Sequence, residues 1–150
     1  MRYWDSSALI PLVVQERSTA AMRSLLEADG DVVTWWASRV EAASALARLE
    51  REAALEARAL RAALTRLEAL AETWAEVAPT DVVREHAVRL LRVHPLRSAA
   101  AFQLASAIIA AEHRPPTVPL VTLGRRLGEA ALREGFPVLG EEGGAGGRRR

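Results

Sequence analysis

Two carboxylates stand where an α/β protein can do chemistry with oxygen ligands. Asp5 follows Arg2-Tyr3-Trp4 and precedes Ser6-Ser7, and Glu41 lies in Ser38-Arg39-Val40-Glu41. In open α/β sheets ligands bind beyond the carboxyl ends of the strands, and an acid that ends the first strand meets that rule. Both residues also have a purely structural reading. Asp-Ser-Ser at a strand-to-helix junction is an ordinary N-cap. Ser38-x-x-Glu41 matches a capping box, in which the glutamate folds back on the backbone at the helix start. On pattern alone Asp5 is divided between the two roles, and Glu41 favours the cap. The sequence has no cysteine, which excludes disulfides and thiolate metal sites. Its histidines, His86, His94 and His113, are scattered, which argues against a zinc site. Metal chemistry here therefore calls for oxygen ligands and a hard ion such as magnesium or manganese.

Other chemical signatures are missing or weak. There is no G-x-x-x-x-G-K-[ST], no G-x-G-x-x-G and no G-x-S-x-G, so neither a phosphate-cradling loop nor a serine nucleophile elbow is supported. His94, next to Pro95, reads as a loop residue rather than a catalytic base. Trp35-Trp36 have the faces to stack nucleobases, but a tryptophan at a strand end more often serves core or interface.

The elements that must position these groups follow from periodicity and punctuation. Residues 2–5 form a short strand leading into a helix over 7–14, which Pro11 shortens or kinks. A second helix fits 18–28, with Met22, Leu25 and Leu26 on one face, and Asp29-Gly30-Asp31 turns the chain. The β-branched and aromatic run 32–35 is a buried strand. Helices over 38–52 and 55–73 follow, the second with Leu60, Leu64 and Leu67 at helical spacing, and the pair suggests an αα-hairpin. A short strand over 74–78 closes at Pro79. Thr80 or Asp81 caps the next helix, which ends before His94-Pro95. The apolar helix 96–112 belongs in the middle of the fold. A strand over 119–123, a helix over 125–134 stopped by Gly135, and an edge strand over 136–139 complete the chain. Strands alternating with helices imply a mainly parallel sheet covered on both faces, a three-layer α/β/α fold.

A chain of 150 residues is the size of one domain, expected over 1–140, with 50% hydrophobic and 26% charged residues, ordinary for a globular protein. The last ten residues, EEGGAGGRRR, lack apolar groups and are expected to be disordered. The formal net charge is +1, so no global basic field announces nucleic acid. Every basic side chain except histidine is arginine; composition alone does not make phosphate contacts of them. No apolar run approaches the roughly 20 residues of a membrane span, and the N-terminus lacks a signal-peptide pattern. A cytoplasmic protein is expected.

With the segments in order, the chain resembles the PIN domain family, specifically the VapC toxins of bacterial toxin–antitoxin pairs. Four stretches carry the likeness. RYWDSSALIPLVVQE is similar to the family's opening strand, Asp and Ser/Thr pair, and VVTWWASRVEAASALARLERE to its strand and Glu-bearing helix. HPLRSAAAFQLASAIIAAE resembles the segment H-x-L-R-x-x-D-A-x-x-L-A, and LVTLGRRLGEAALREGFPVL the closing V-T-x-D-x-x-L-x-x-A-A-x-x-x-G-F. The resemblance spans nearly the whole chain except the tail.

It implies a PIN-like fold and a metal-dependent endoribonuclease, in which acids clustered at one end of the sheet hold magnesium or manganese. Carried over by position, Asp5 and Glu41 are the first two acids, as metal ligands and catalytic carboxylates. The other two are lost. Ala100 stands at the third acid position and Gly124 at the fourth, and neither side chain can bind a cation. Glu112 lies about three helical turns from Ala100, too far to substitute at about 1.5 Å per residue. The ion is then weakly bound or absent and the nuclease attenuated or inactive. A PIN-like module that binds RNA or protein without catalysis is the alternative. Arg97 and Arg125, beside the lost acids, are candidates for gripping phosphate. The resemblance further implies RNA and an antitoxin-like protein as partners, a homodimer, and no membrane association.

Overall fold

The computed structural model describes residues 1–140; the expected disordered tail, 141–150, lies outside the described residues. Five short strands, β1 (Arg2–Trp4), β2 (Val32–Trp35), β3 (Ala75–Val77), β4 (Leu120–Val121) and β5 (Val138–Leu139), form one sheet. Their order is β3-β2-β1-β4-β5, and every pairing is parallel. The first strand in sequence is thus the middle strand in space. Parallel neighbours require crossovers, and seven helices provide them: α1 (Ser6–Val13), α2 (Thr19–Ala28), α3 (Ser38–Arg51), α4 (Ala57–Ala71), α5 (Asp81–Val93), α6 (Ser98–Ala110) and α7 (Arg125–Arg133).

Alternation along the strands divides the core in two. Tyr3, Val33, Trp35 and Leu120 face one apolar layer, built from Val83, Ala87 and Leu90 of α5, Leu104 and Ile108 of α6, and Leu127 and Ala131 of α7. Trp4, Val32 and Val121 face the other, built from Leu9 and Val13 of α1, Met22 of α2, Leu46 of α3 and Leu67 of α4. The result is a three-layer α/β/α fold, as the alternation of elements implied. Tyr3 and Trp4 are both fully buried, as residues of a strand covered on both faces must be. Among the described residues no helix is long and apolar enough to cross a membrane.

Local chemistry sets the boundaries. Pro11 sits inside the eight-residue α1, where it removes a donor from the helical ladder; its carbonyl accepts from the Thr19 hydroxyl at 2.8 Å. Thr80 caps α5, accepting from the Val83 N–H at 3.4 Å, so of the two proposed caps Thr80 is the one used. Arg97 keeps extended backbone before α6, which starts that helix later than apolarity alone suggests. Gly135 has φ +97, a left-handed conformation that ends α7 at little steric cost.

Leu104 is fully buried at the centre of the α5–α7 layer. Leu104→Ala is expected to destabilise the fold by about 2–5 kcal/mol, the cost of a core truncation plus its cavity. Leu132, 56% exposed on α7, should tolerate the same change within about 0.5 kcal/mol. Urea titrations followed by circular dichroism compare the two; similar midpoints would contradict the assignment of the core.

Candidate functional site

Asp5 emerges where β1 ends. Its backbone N–H donates to the Val121 carbonyl at 3.0 Å, so the pairing with β4 sets its position. The side chain is 6% exposed. Asp5 occupies the N-cap position of α1, yet it makes no side-chain cap bond. Its Oδ2 instead accepts from the Thr122 hydroxyl at 2.9 Å and from the Ser7 hydroxyl. Those hydroxyls are themselves held: the Leu123 N–H donates to Ser7 Oγ at 3.0 Å, and the Gly124 N–H to Thr122 Oγ1 at 2.9 Å. The loop after β4 is thereby tied to the first acid.

Glu41 lies in the first turn of α3, but the capping box does not form. Ala37 is the N-cap and no side-chain cap bond is made. The pattern is overridden because both of its members have tertiary partners. Ser38 is fully buried and receives Gln103 Nε2–H at 2.9 Å, with the Thr34 hydroxyl 2.7 Å away. The Glu41 Oε2 accepts from the Ser6 hydroxyl at 2.8 Å and from Gln103 Nε2 at 3.0 Å. The same Ser6 hydroxyl lies 3.4 Å from Asp5 Oδ1. One hydroxyl therefore stands between the two carboxylates. Burial pushes the Glu41 carboxyl above its ordinary range; the bonds from Gln103 and Ser6 oppose that rise and the charge of Asp5 adds to it.

Gln103 is the residue that the sequence pattern did not single out. It is 1% exposed, accepts the Tyr3 phenol O–H at 2.7 Å through Oε1, and spends both amide hydrogens on Ser38 and Glu41. Burial, reinforced by Asp5 and Glu41, holds the Tyr3 phenol well above its usual range, which keeps it a donor. A lone amide in the apolar run of α6 was the available signal, since a buried amide requires partners.

All four acid positions implied by the resemblance, Asp5, Glu41, Ala100 and Gly124, line one cleft of about 410 Å³. Ser6, Gln103, Arg97, Arg125 and Arg126 share its walls. A Cβ on Gly124 would stand 4.0 Å from Asp5 Oδ2 and 3.3 Å from Thr122 Oγ1, and Gly124 has φ −83, open to any residue. The groups present do not fit a resident divalent ion. Among the described residues there is no group of three or more His, Asp or Glu that could hold a metal. Asp5 Oδ2 and Glu41 Oε2 each already accept two protein hydrogen bonds, and three arginines line the same space.

Other sequence candidates lie elsewhere. His94 lies in the bend after α5, as expected of a loop residue; it is also 5% exposed and bonds Glu134 at 2.7 Å through Nε2. That link joins the end of α5 to the end of α7. Trp35 is core, stacked on Phe102 with ring centroids 5.4 Å apart, whereas Trp36 is 54% exposed. Glu112 pairs with Arg114 at 3.2 Å and does not line the cleft.

No protein-family model matches the sequence, and no curated protein does. Among solved structures, the chain is similar to one described as a toxin–antitoxin complex from Klebsiella pneumoniae. The two are 17% identical, with a TM-score of 0.60 over 93% of this chain and 96% of that one. What they share is the fold.

The raised Glu41 pKa gives a signed prediction. The folded chain holds the Glu41 proton more tightly than the unfolded chain, whose value is near 4.5. Stability is therefore lost as pH rises from that value through the folded one, and the loss is complete above it. Glu41→Gln removes the charge and keeps an acceptor for Ser6 and Gln103. The variant should melt higher than the parent at about pH 7, with the gain shrinking toward about pH 4. Thermal melts across that range check it, and an unchanged or lower melting point at neutral pH would contradict it.

Proposed function

We propose that this chain is the toxin-like member of a toxin–antitoxin pair, a PIN-like domain of the VapC type acting in the cytoplasm. In this reading its metal-dependent endoribonuclease site is incomplete, and cleavage of RNA is attenuated or absent. The observation that carries the reading is the convergence of Asp5, Glu41, Ala100 and Gly124 on one cleft. Those positions come from the end of β1, from α3, from α6 and from the loop before α7; convergence of four such distant positions is what a four-carboxylate site requires. The fold shared with a chain described as part of a toxin–antitoxin complex supports the same assignment.

Asp5 and Glu41 are then the surviving catalytic and metal-binding acids. With two carboxylates, magnesium or manganese is held weakly or not at all. A tenfold loss of affinity takes only about 1.4 kcal/mol. RNA is the proposed substrate and an antitoxin-like protein the proposed partner. Val88 and Leu91 on α5 are 57% and 42% exposed and offer apolar surface for that partner or for a second copy in a homodimer. A second reading, a catalytically dead module that binds RNA or protein, is favoured by one observation: arginines outnumber acids in the cleft.

Restoring Ala100→Asp and Gly124→Asp together tests the proposal. The restored chain should bind magnesium or manganese at least about tenfold more tightly and cleave RNA, while the parent does neither efficiently. Four crowded carboxylates repel one another without metal, so the restored apo chain should melt lower than the parent and recover with added magnesium. Equal cleavage by both chains would remove the attenuated-site argument. If neither cleaves and the parent binds RNA or an antitoxin-like peptide, the module reading stands.

A further inference from the structure

The cleft is lined by more arginines than acids. Its two acids lie at the floor and are satisfied by neutral donors, Asp5 by Ser7 and Thr122, Glu41 by Ser6 and Gln103. Three arginines, Arg97, Arg125 and Arg126, are among the residues that line the same space. Arg125 shares its charge with Glu129 at 3.0 Å. Arg97 and Arg126 make no side-chain hydrogen bond or ion pair among the described residues.

The two lost acids matter because of where they stood. Ala100 lies in the first turn of α6, which has no acid there and no side-chain cap. Gly124 is the N-cap of α7, which is equally uncapped and acid-free in its first turn. An acid at either position would have answered the arginines and closed on a cation. Without them, an incoming divalent ion meets like charge. An oxyanion meets guanidinium forks, whose planar donors match phosphate oxygens. The volume, about 410 Å³, falls within the roughly 300–1,000 Å³ of small-ligand sites.

We infer that this cleft binds a phosphate ester directly, gripped by Arg97, Arg125 and Arg126 with no metal ion between protein and phosphate. The inference rests on the cleft being the functional site, and it names the ligand chemistry that remains after the acids are gone. Free phosphate, a nucleotide and an RNA backbone all present that chemistry.

The experiment uses the full chain in EDTA. Inorganic phosphate is titrated by calorimetry, and a fluorescein-labelled single-stranded oligoribonucleotide by anisotropy, with phosphate as competitor. At least one probe should bind, and added magnesium should not tighten it. Arg97→Ala with Arg126→Ala should weaken binding about tenfold or more without moving the melting temperature. For the oligoribonucleotide it should also lower the slope of log affinity against log salt by about 0.7 per arginine. Arg92→Ala with Arg133→Ala removes the same charge away from the cleft and should leave binding unchanged. Competition by phosphate identifies the phosphoryl group itself as the ligand; oligoribonucleotide binding that depends on Arg97 and Arg126 but resists phosphate identifies the ester backbone. No binding in EDTA, binding that appears only with magnesium, or equal losses in the two arginine pairs would overturn the inference. A parent chain that cleaves RNA with magnesium yet binds neither probe without it keeps the nuclease reading and removes this one. Phosphate binding in EDTA with a restored chain that never cleaves does the reverse.

Discussion

Parallel pairing of β1 with β2 on one side and β4 on the other is the constraint on which the rest of the structure depends. Tyr3 is in register with both Val33 and Leu120, and its neighbour Trp4 is buried on the opposite face. A strand held on both edges and both faces has no freedom to slip, because a one-residue shift would exchange the two cores. Asp5 follows immediately, so its place is set by the whole sheet and not by the local turn. Because every strand runs the same way, the chain leaving β1, β2 and β4 emerges at a single rim. Asp5, the start of α3 and the Thr122–Gly124 loop meet there.

The polar network at that rim links the two helical layers. Gln103 belongs to α6 on one side of the sheet and Glu41 to α3 on the other, and they bond where the strands end. Tyr3 closes the network from the central strand. Buried polar groups are costly unless satisfied. Here Gln103 uses its carbonyl and both amide hydrogens, which fixes the orientation of Glu41 without a cation. The arrangement holds both carboxylates at the rim through neutral donors, while burial and the charge of Asp5 still raise the Glu41 carboxyl.

The fold was legible in the residues because each element carries its own signal. The β-branched run Val32–Trp35, the spacing of apolar residues in α4, and the breaks at Pro79, Pro95 and Gly135 leave little ambiguity, and the helix and strand order follows. The site was half legible. Asp5 could be placed at a strand end, but the same residues also spell an N-cap, and only the side-chain bonds to Ser7 and Thr122 separate the two. Ser38-x-x-Glu41 spells a capping box because the pattern describes a helix in isolation. Gln103 arrives from 62 residues away, and no local pattern contains it. His94 lies in the bend after α5, as expected, but its partner Glu134 is 40 residues further on, so no local pattern contains the buried link it makes.

The separation in sequence between the two halves of the rim has a consequence for biosynthesis. Thr122 and Asp5 are 117 residues apart, and β1 cannot complete its pairing before β4 exists. Such long-range parallel contacts form late and slowly. On the ribosome, the α1–α4 layer can gather around β1 and β2 while synthesis continues, but one edge of the central strand stays open until β4 has emerged. The cleft therefore cannot assemble before β4 and the Thr122–Gly124 loop have been made, and whatever it binds cannot be engaged by a shorter nascent fragment.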